Sequence, residues 1–177
     1  MKTIKRTTLL LILINLFQPV YAQQANNDVA IQNAILYHIN DYRQKHGMSK
    51  LIMDERIVQE AKIHSQDMAR HAMPFGHKHF LKRVNHLHTK IKNSGAAAEN
   101  VAYNYKDAQD VVKNWLRSPG HKQNIDGNYN LTGIGIARDA KGKIYFTQIF
   151  LNNKAQTQVA RRGMRSRIFI SPYLRRA

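Results

Sequence analysis

Trp115-Leu116-Arg117-Ser118-Pro119-Gly120-His121-Lys122-Gln123-Asn124-Ile125 organises this chain of 177 residues: it closes one helix and opens another, with a histidine at the junction. Ser118 is a strong N-cap type, because a hydroxyl can accept an unpaired backbone N–H, and Pro119 suits the first helical position, where its missing donor costs nothing. His121 then falls on the third helical position. Free N–H groups and the positive end of the helix dipole lie there, favouring an anion beside His121 and a neutral imidazole over a charged one.

Upstream of this junction, Asp107 caps the helix that the stretch closes, with Asp110 three residues on and Val111, Val112, Trp115 and Leu116 facing inward. Downstream, Asp126-Gly127-Asn128 breaks the helix begun at Pro119. Two strands follow, Leu131 to Arg138 and Lys143 to Leu151, joined by Asp139-Ala140-Lys141-Gly142 as a hairpin. Gly133 and Gly135 lie on one face of the first strand, where another backbone or a ligand can come close. In the second strand Tyr145, Thr147 and Ile149 alternate with Phe146, Gln148 and Phe150, so both faces are covered, and helices on both sides of a small antiparallel sheet supply that cover.

Nearer the start, Ile31, Ala34, Ile35, His38, Ile39 and Tyr42 recur at helical spacing, with Gly47 as a C-terminal stop. Asp54 caps a second helix whose inner face reads Ile57, Val58, Ala61, His64, Ser65, Met68 and Ala69, ending before Pro74. Phe75 to Ser94 reads as an irregular loop crowded with His77, His79, His86 and His88. Gly95 to Ala102, which contains Glu99, stays open between strand and turn.

The first 22 residues carry Lys2, Lys5 and Arg6, an apolar run from Leu9 to Phe17 and a small residue at Ala22, the pattern of a secretory signal peptide cleaved after Ala22. The run is shorter than the roughly 20 apolar residues of a membrane span. Without these three basic residues the 28 Lys and Arg fall to 25, against 11 Asp and Glu. So basic a chain favours anionic surfaces such as lipid headgroups or envelope polymers. Export to a secreted or periplasmic location argues against nucleic acid. With no cysteine at all, the core has to suffice without disulfides, which about 155 residues can manage in one domain. The domain boundaries expected are 1–22 for the signal peptide, 28–152 for the folded domain and 153–177 for a tail. The tail carries Arg161, Arg162, Arg165, Arg167, Arg175 and Arg176 with Phe169 and Tyr173, a mixture suited to an anionic membrane or cell-envelope surface.

The ordered pieces His64-Ser65-Gln66-Asp67-Met68-Ala69, Phe75-Gly76-His77, Glu99-Asn100-Val101-Ala102, Trp115 to Ile125, Gly133-Ile134-Gly135 and Tyr145 to Phe150 together resemble the CAP superfamily of cysteine-rich secretory, antigen 5 and pathogenesis-related proteins. The Ser-Pro-Gly-His form resembles its bacterial branch. The resemblance covers residues 31 to 151. It implies an α+β fold, a three-layer α-β-α sandwich with a small antiparallel sheet between helices, and a central cleft lined by two histidines and two glutamates. His77 resembles the first cleft histidine and Glu99 the first glutamate. The chain departs from the pattern at the second pair, where Ser118 stands for the glutamate and Tyr145 for the histidine, and His121 is a substitute for one of them.

The expected ligand-binding cleft is therefore His77, Glu99, His121, Tyr145 and Ser118. His77, Glu99 and His121 have the residue types of a two-histidine, one-carboxylate Zn2+ site with an open position, though no cofactor is required by the sequence. The alternative is a hydrogen-bonded cluster in which Glu99 accepts from an imidazole and Asn100 ties the strand to the helix capped by Asp107. Ser118 and His121 also sit one turn apart like a nucleophile and base, but a capping hydroxyl points at backbone N–H groups. Two function classes follow. One is a binding protein for a small-molecule, lipid-like or envelope ligand; the other is a metal-assisted hydrolase with Glu99 or His121 as the catalytic base. A third reading is an envelope interaction module that uses only its basic surface, the cleft being a relic.

Overall fold

A computed structural model describes residues 4–155, with side chains given from Gln23 onward except at Ala25. The elements are α1 (Ile4–Lys45), β1 (Ile52–Met53), α2 (Glu55–Ala69), α3 (Phe80–Lys90), β2 (Ser94–Tyr103), α4 (Ala108–Arg117), α5 (Pro119–Asp126), β3 (Leu131–Arg138) and β4 (Ile144–Asn153). Helix α1 continues upstream of Ile31 to Ile4, so no break in the backbone marks Ala22. Among the described residues no helix is long and apolar enough to cross a membrane. The first residue assigned to the tail, Asn153, ends β4. Residues 156–177, which hold all the tail's arginines, lie outside the described residues.

The sheet runs in the order β1-β3-β4-β2. Its three long strands are antiparallel, as the hairpin and the alternation at 144–151 require, with Glu99 opposite Ile149 and Asn100 opposite Gln148. The sheet is mixed rather than purely antiparallel, because Ile52 and Met53 pair in parallel with Leu131 and Thr132. Two residues are too short a run to show an alternating pattern, which is why the sequence did not reveal β1.

Successive strand residues point to opposite faces, and each face carries its own helices. On one, Ala98, Ala102, Ile134, Ile136, Phe146 and Phe150 pack with residues of α1, α4 and α5, including the fully buried Ile35, Val111, Trp115 and Ile125. On the other, Leu131, Ile149 and Leu151 pack against Ile57 and Ala61 of α2 and Leu87 of α3. The expected α-β-α sandwich is borne out. Gly133 and Gly135 allow the close approach: a Cβ on either would lie 2.3 Å or 2.1 Å from the backbone of Ile57 or Ala61, so α2 rests directly on β3.

Helix α3 corrects the irregular loop expected between Phe75 and Ser94. Its inner face is Val84 and Leu87, spaced three residues apart and followed by Ile91, all buried. Basic and histidine residues on its other positions mask that short apolar repeat. Two of those histidines have partners: His86 Nδ1 lies 2.7 Å from Glu60 and His88 Nδ1 lies 2.8 Å from Ser94 Oγ.

Candidate functional site

Glu99 sits on β2, an outer strand of the sheet, facing α2 and α3, and is only 4% exposed. A lone buried carboxylate is strongly disfavoured, so its partners decide what it can do. Arg83 of α3 supplies a bidentate grip: Nε donates to Oε2 at 2.9 Å and Nη2 to Oε1 at 2.7 Å. His77 Nδ1 lies 2.9 Å from Oε1 and acts as donor to the carboxylate. The third arm of Arg83, Nη1, donates to the Lys78 carbonyl at 2.8 Å and so fastens the loop that carries His77. Burial by itself would raise the Glu99 pKa, but the His77 hydrogen bond and the Arg83 guanidinium reverse this and hold it below the usual carboxylate range.

His64 of α2 stands behind this group, with Nε2 2.9 Å from the Gly76 carbonyl and 3.8 Å from Glu99 Oε1. Donation to that carbonyl leaves Nδ1 as an acceptor, buried and without a hydrogen-bond partner. Burial holds the imidazole below its ordinary pKa despite the Glu99 charge, so it stays neutral in the core.

His121 approaches β2 from α5, as the capped-junction reading places it. Its pKa is lowered by burial and then by the charge of His77. Asn100 fixes its height: Asn100 Nδ2 donates to the His121 carbonyl at 3.2 Å, and Asn124 Nδ2 donates to Asn100 Oδ1 at 2.9 Å. Asn100 therefore ties the strand to α5, not to the helix capped by Asp107. The far end of α5 is held by Arg43, whose guanidinium donates to the carbonyls of Ile125, Gly127 and Tyr129.

Ser118 occupies the N-cap position of α5, but its side chain makes no capping hydrogen bond. This corrects the expected cap: at φ −90° and ψ 118° the bend is made by the Pro119 start, and the Lys122 N–H to Ser118 carbonyl bond at 2.8 Å closes the first turn. The hydroxyl instead borders a cleft of about 460 Å³ lined by Phe75, Tyr103, Tyr105, Trp115, Ser118 and His121, among others. No hydrogen bond joins the Ser118 and His121 side chains.

The expected five residues are thus divided. Ser118 and His121 line the cleft, and His77 and Glu99 form a pair beside it that is not part of its lining. Tyr145 is the cross-strand neighbour of Tyr103, the rings 5.7 Å apart at 25°, and lines a separate cavity of about 470 Å³ by the β3–β4 hairpin. Among the described residues no three His, Asp or Glu side chains gather as a metal-holding group, and Arg83 occupies the carboxylate oxygens a metal needs. Sequence reasoning missed Arg83 because it lay within the supposed loop. A charged residue four positions before Leu87, on an inner helical face, is the signal that marks it. It also missed the aromatic wall of Phe75, Tyr103 and Tyr105.

Comparison with known proteins follows the same outline. The family model described as "CAP: Cysteine-rich secretory protein family" matches residues 36–150. The chain is 32% identical over 125 residues to the uncharacterized membrane protein YlbC of Bacillus subtilis, covering 68% of this chain and 34% of YlbC. It is 33% identical over 126 residues to the uncharacterized protein YkwD of the same organism, covering 69% and 47%. It therefore spans about a third to a half of the length of these curated relatives. Among solved structures, an outer surface protein of Borrelia burgdorferi matches with a TM-score of 0.61 at 20% identity, over 72% of this chain and 94% of that one. A cysteine-rich secretory protein of Staphylococcus aureus matches with 0.59 at 20% identity, over 71% and 39%. An extracellular protein containing a SCP domain from Bacillus anthracis matches with 0.59 at 23% identity, over 71% and 41%. These structures share the fold.

Proposed function

The chain belongs to the CAP, or cysteine-rich secretory protein, family, and on that premise we propose that it acts outside the cytoplasm as a binding module. Its cleft takes a lipid-like small molecule or a component of the cell envelope, and its basic tail holds it at an anionic surface. The signal-peptide pattern expected in the first 22 residues supports that location, as do the extracellular and outer-surface descriptions of two structural neighbours. The observation that carries the reading is the engagement of Glu99. Both its oxygens are held by Arg83 and one of them also by His77. A carboxylate so engaged is a weak base and a poor metal ligand, and the cleft beside it is walled by aromatic rings, as ligand pockets commonly are.

Native mass spectrometry of tag-free protein, compared with a His121→Trp variant that fills the cleft, tests this reading. A bound mass present in the parent and lost from the folded variant is the expected result. Hydrolysis that depends on added zinc and stops with a chelator would overturn it in favour of the metal-assisted hydrolase.

A further inference from the structure

One stacked pair of rings connects the cleft and the hairpin cavity. Tyr103 lines the cleft and Tyr145, opposite it on the neighbouring strand, lines the hairpin cavity. Phe75 extends the pair, its ring 5.0 Å from Tyr103 and tilted by 58°. Phe75 and Tyr103 are 48% and 46% exposed, so the rings offer an open apolar platform, with Tyr103 braced from the neighbouring strand by the buried Tyr145.

Both ends of this platform are positively charged. Arg117 lines the cleft, with the Ser118 hydroxyl and the His121 ring as neutral hydrogen-bonding groups beside it. At the other end Arg70, Lys141 and Lys143 line the hairpin cavity. The one acid among that cavity's lining residues, Asp139, is turned back on its own loop, accepting the Lys141 N–H at 2.8 Å and the Lys143 N–H at 2.9 Å. Arg138 is matched by Asp28. Among the described residues, the remaining cations Arg117, Arg70, Lys141 and Lys143 have no carboxylate paired with them.

A sequence of cation, exposed ring and cation complements a ligand that alternates flat apolar faces with anionic groups. Sugar rings bearing carboxylates have that character, since a pyranose lays its C–H face on an aromatic ring while its hydroxyls and carboxylate reach sideways. A single fatty chain would leave the charged ends unused. Stacked bases want parallel faces, whereas the two exposed rings are steeply tilted to one another. We propose that the track from Arg117 across Phe75 and Tyr103 to the β3–β4 hairpin binds an acidic polysaccharide, longer than one sugar ring. This deepens the envelope-ligand reading above and rests on it.

The test is calorimetric titration of the full chain with oligogalacturonate, its uncharged methyl ester, and an oligodeoxythymidylate of matched length. Lys141→Glu/Lys143→Glu and Tyr103→Ala are compared with Lys50→Glu/Lys92→Glu, which changes the net charge equally at the opposite end of the sheet. All four positions charged in these doubles are exposed, and circular dichroism confirms the fold of each variant. The expected result is binding of oligogalacturonate alone, weakened roughly tenfold or more by the hairpin double and by Tyr103→Ala, and less than about twofold by the distant double. Equal weakening by both doubles would reduce the effect to diffuse charge and overturn the proposal. Equal or tighter binding of the oligodeoxythymidylate would overturn it in favour of a nucleic-acid track. A cleft ligand seen by native mass spectrometry with no oligogalacturonate binding would overturn the glycan assignment and leave the binding reading in place.

Discussion

Arg83 and Glu99 meet through two parallel hydrogen bonds of 2.9 and 2.7 Å, with 7% and 1% of their side-chain surfaces exposed. Such a pair contributes little net stability when intact but is costly to break, because the surviving charge stays buried without its partner. Glu99→Gln is expected to lower unfolding stability by about 3–5 kcal/mol in urea titration, with an unchanged m-value. The joint change Glu99→Leu/Arg83→Leu costs less than Glu99→Gln alone, since it removes both charges. A near-neutral Glu99→Gln would show that the grip does not hold the fold.

The same region sets how the protein responds to acid. His64 lies below its ordinary pKa of 6.5 through burial, so below that pH the unfolded chain takes a proton that the folded one resists. Stability is therefore complete above 6.5 and falls as pH drops through it. Glu99 is held below its ordinary 4.5, so its contribution is present above that value and is lost as pH falls further, toward its folded pKa. Urea midpoints measured from pH 8 to pH 3 should fall in two stages. His64→Gln should flatten the upper stage by up to about 1.4 kcal/mol per pH unit, the limit for one proton. An unchanged upper stage would contradict the assignment to His64.

Gly135 is the contact point of α2 on the sheet. Its missing Cβ would lie 2.1 Å from the Ala61 carbonyl carbon and 2.3 Å from its oxygen, backbone atoms that cannot give way without moving the helix. Gly135→Ala should cost about 3 kcal/mol or more, at the upper end for overpacking. Gly120→Ala meets nothing within 4 Å and lies inside α5, so it should be neutral or stabilising by about 0.5–1 kcal/mol. Thermal unfolding of the two variants separates these cases.

The helix starts at Asp107 and Ser118 differ in how they are capped. The Asp107 carboxylate accepts the Asp110 N–H at 2.8 Å, whereas the Ser118 hydroxyl makes no such bond. Asp107→Ala should cost about 1 kcal/mol and Ser118→Ala less than about 0.5 kcal/mol. A Ser118→Ala cost equal to that of Asp107→Ala would restore the capping role expected from sequence.

Much of the fold was legible wherever one kind of signal dominated. The caps and apolar faces of α2 and α4, the Pro119 start of α5 and the β3–β4 alternation each repeat over several residues, and Gly133 and Gly135 announced the close contact that α2 makes. Helix α3 was hidden because its buried residues are few and its charged ones many, and β1 because its pairing is tertiary. The site was legible in its members but not in its wiring. Glu99 and His77 were expected to meet, and do. What closes off the carboxylate is Arg83, a partner 16 residues away whose role depends on the helix that the sequence reading missed.

The most direct measurement is a crystal structure of the protein soaked in millimolar zinc. The account predicts that both Glu99 oxygens stay on Arg83 and that the cleft beside His121 remains free for an organic ligand. A zinc ion bonded to Glu99 at about 2.0–2.2 Å, with His77 and His121 completing its ligands and Arg83 displaced, would contradict it.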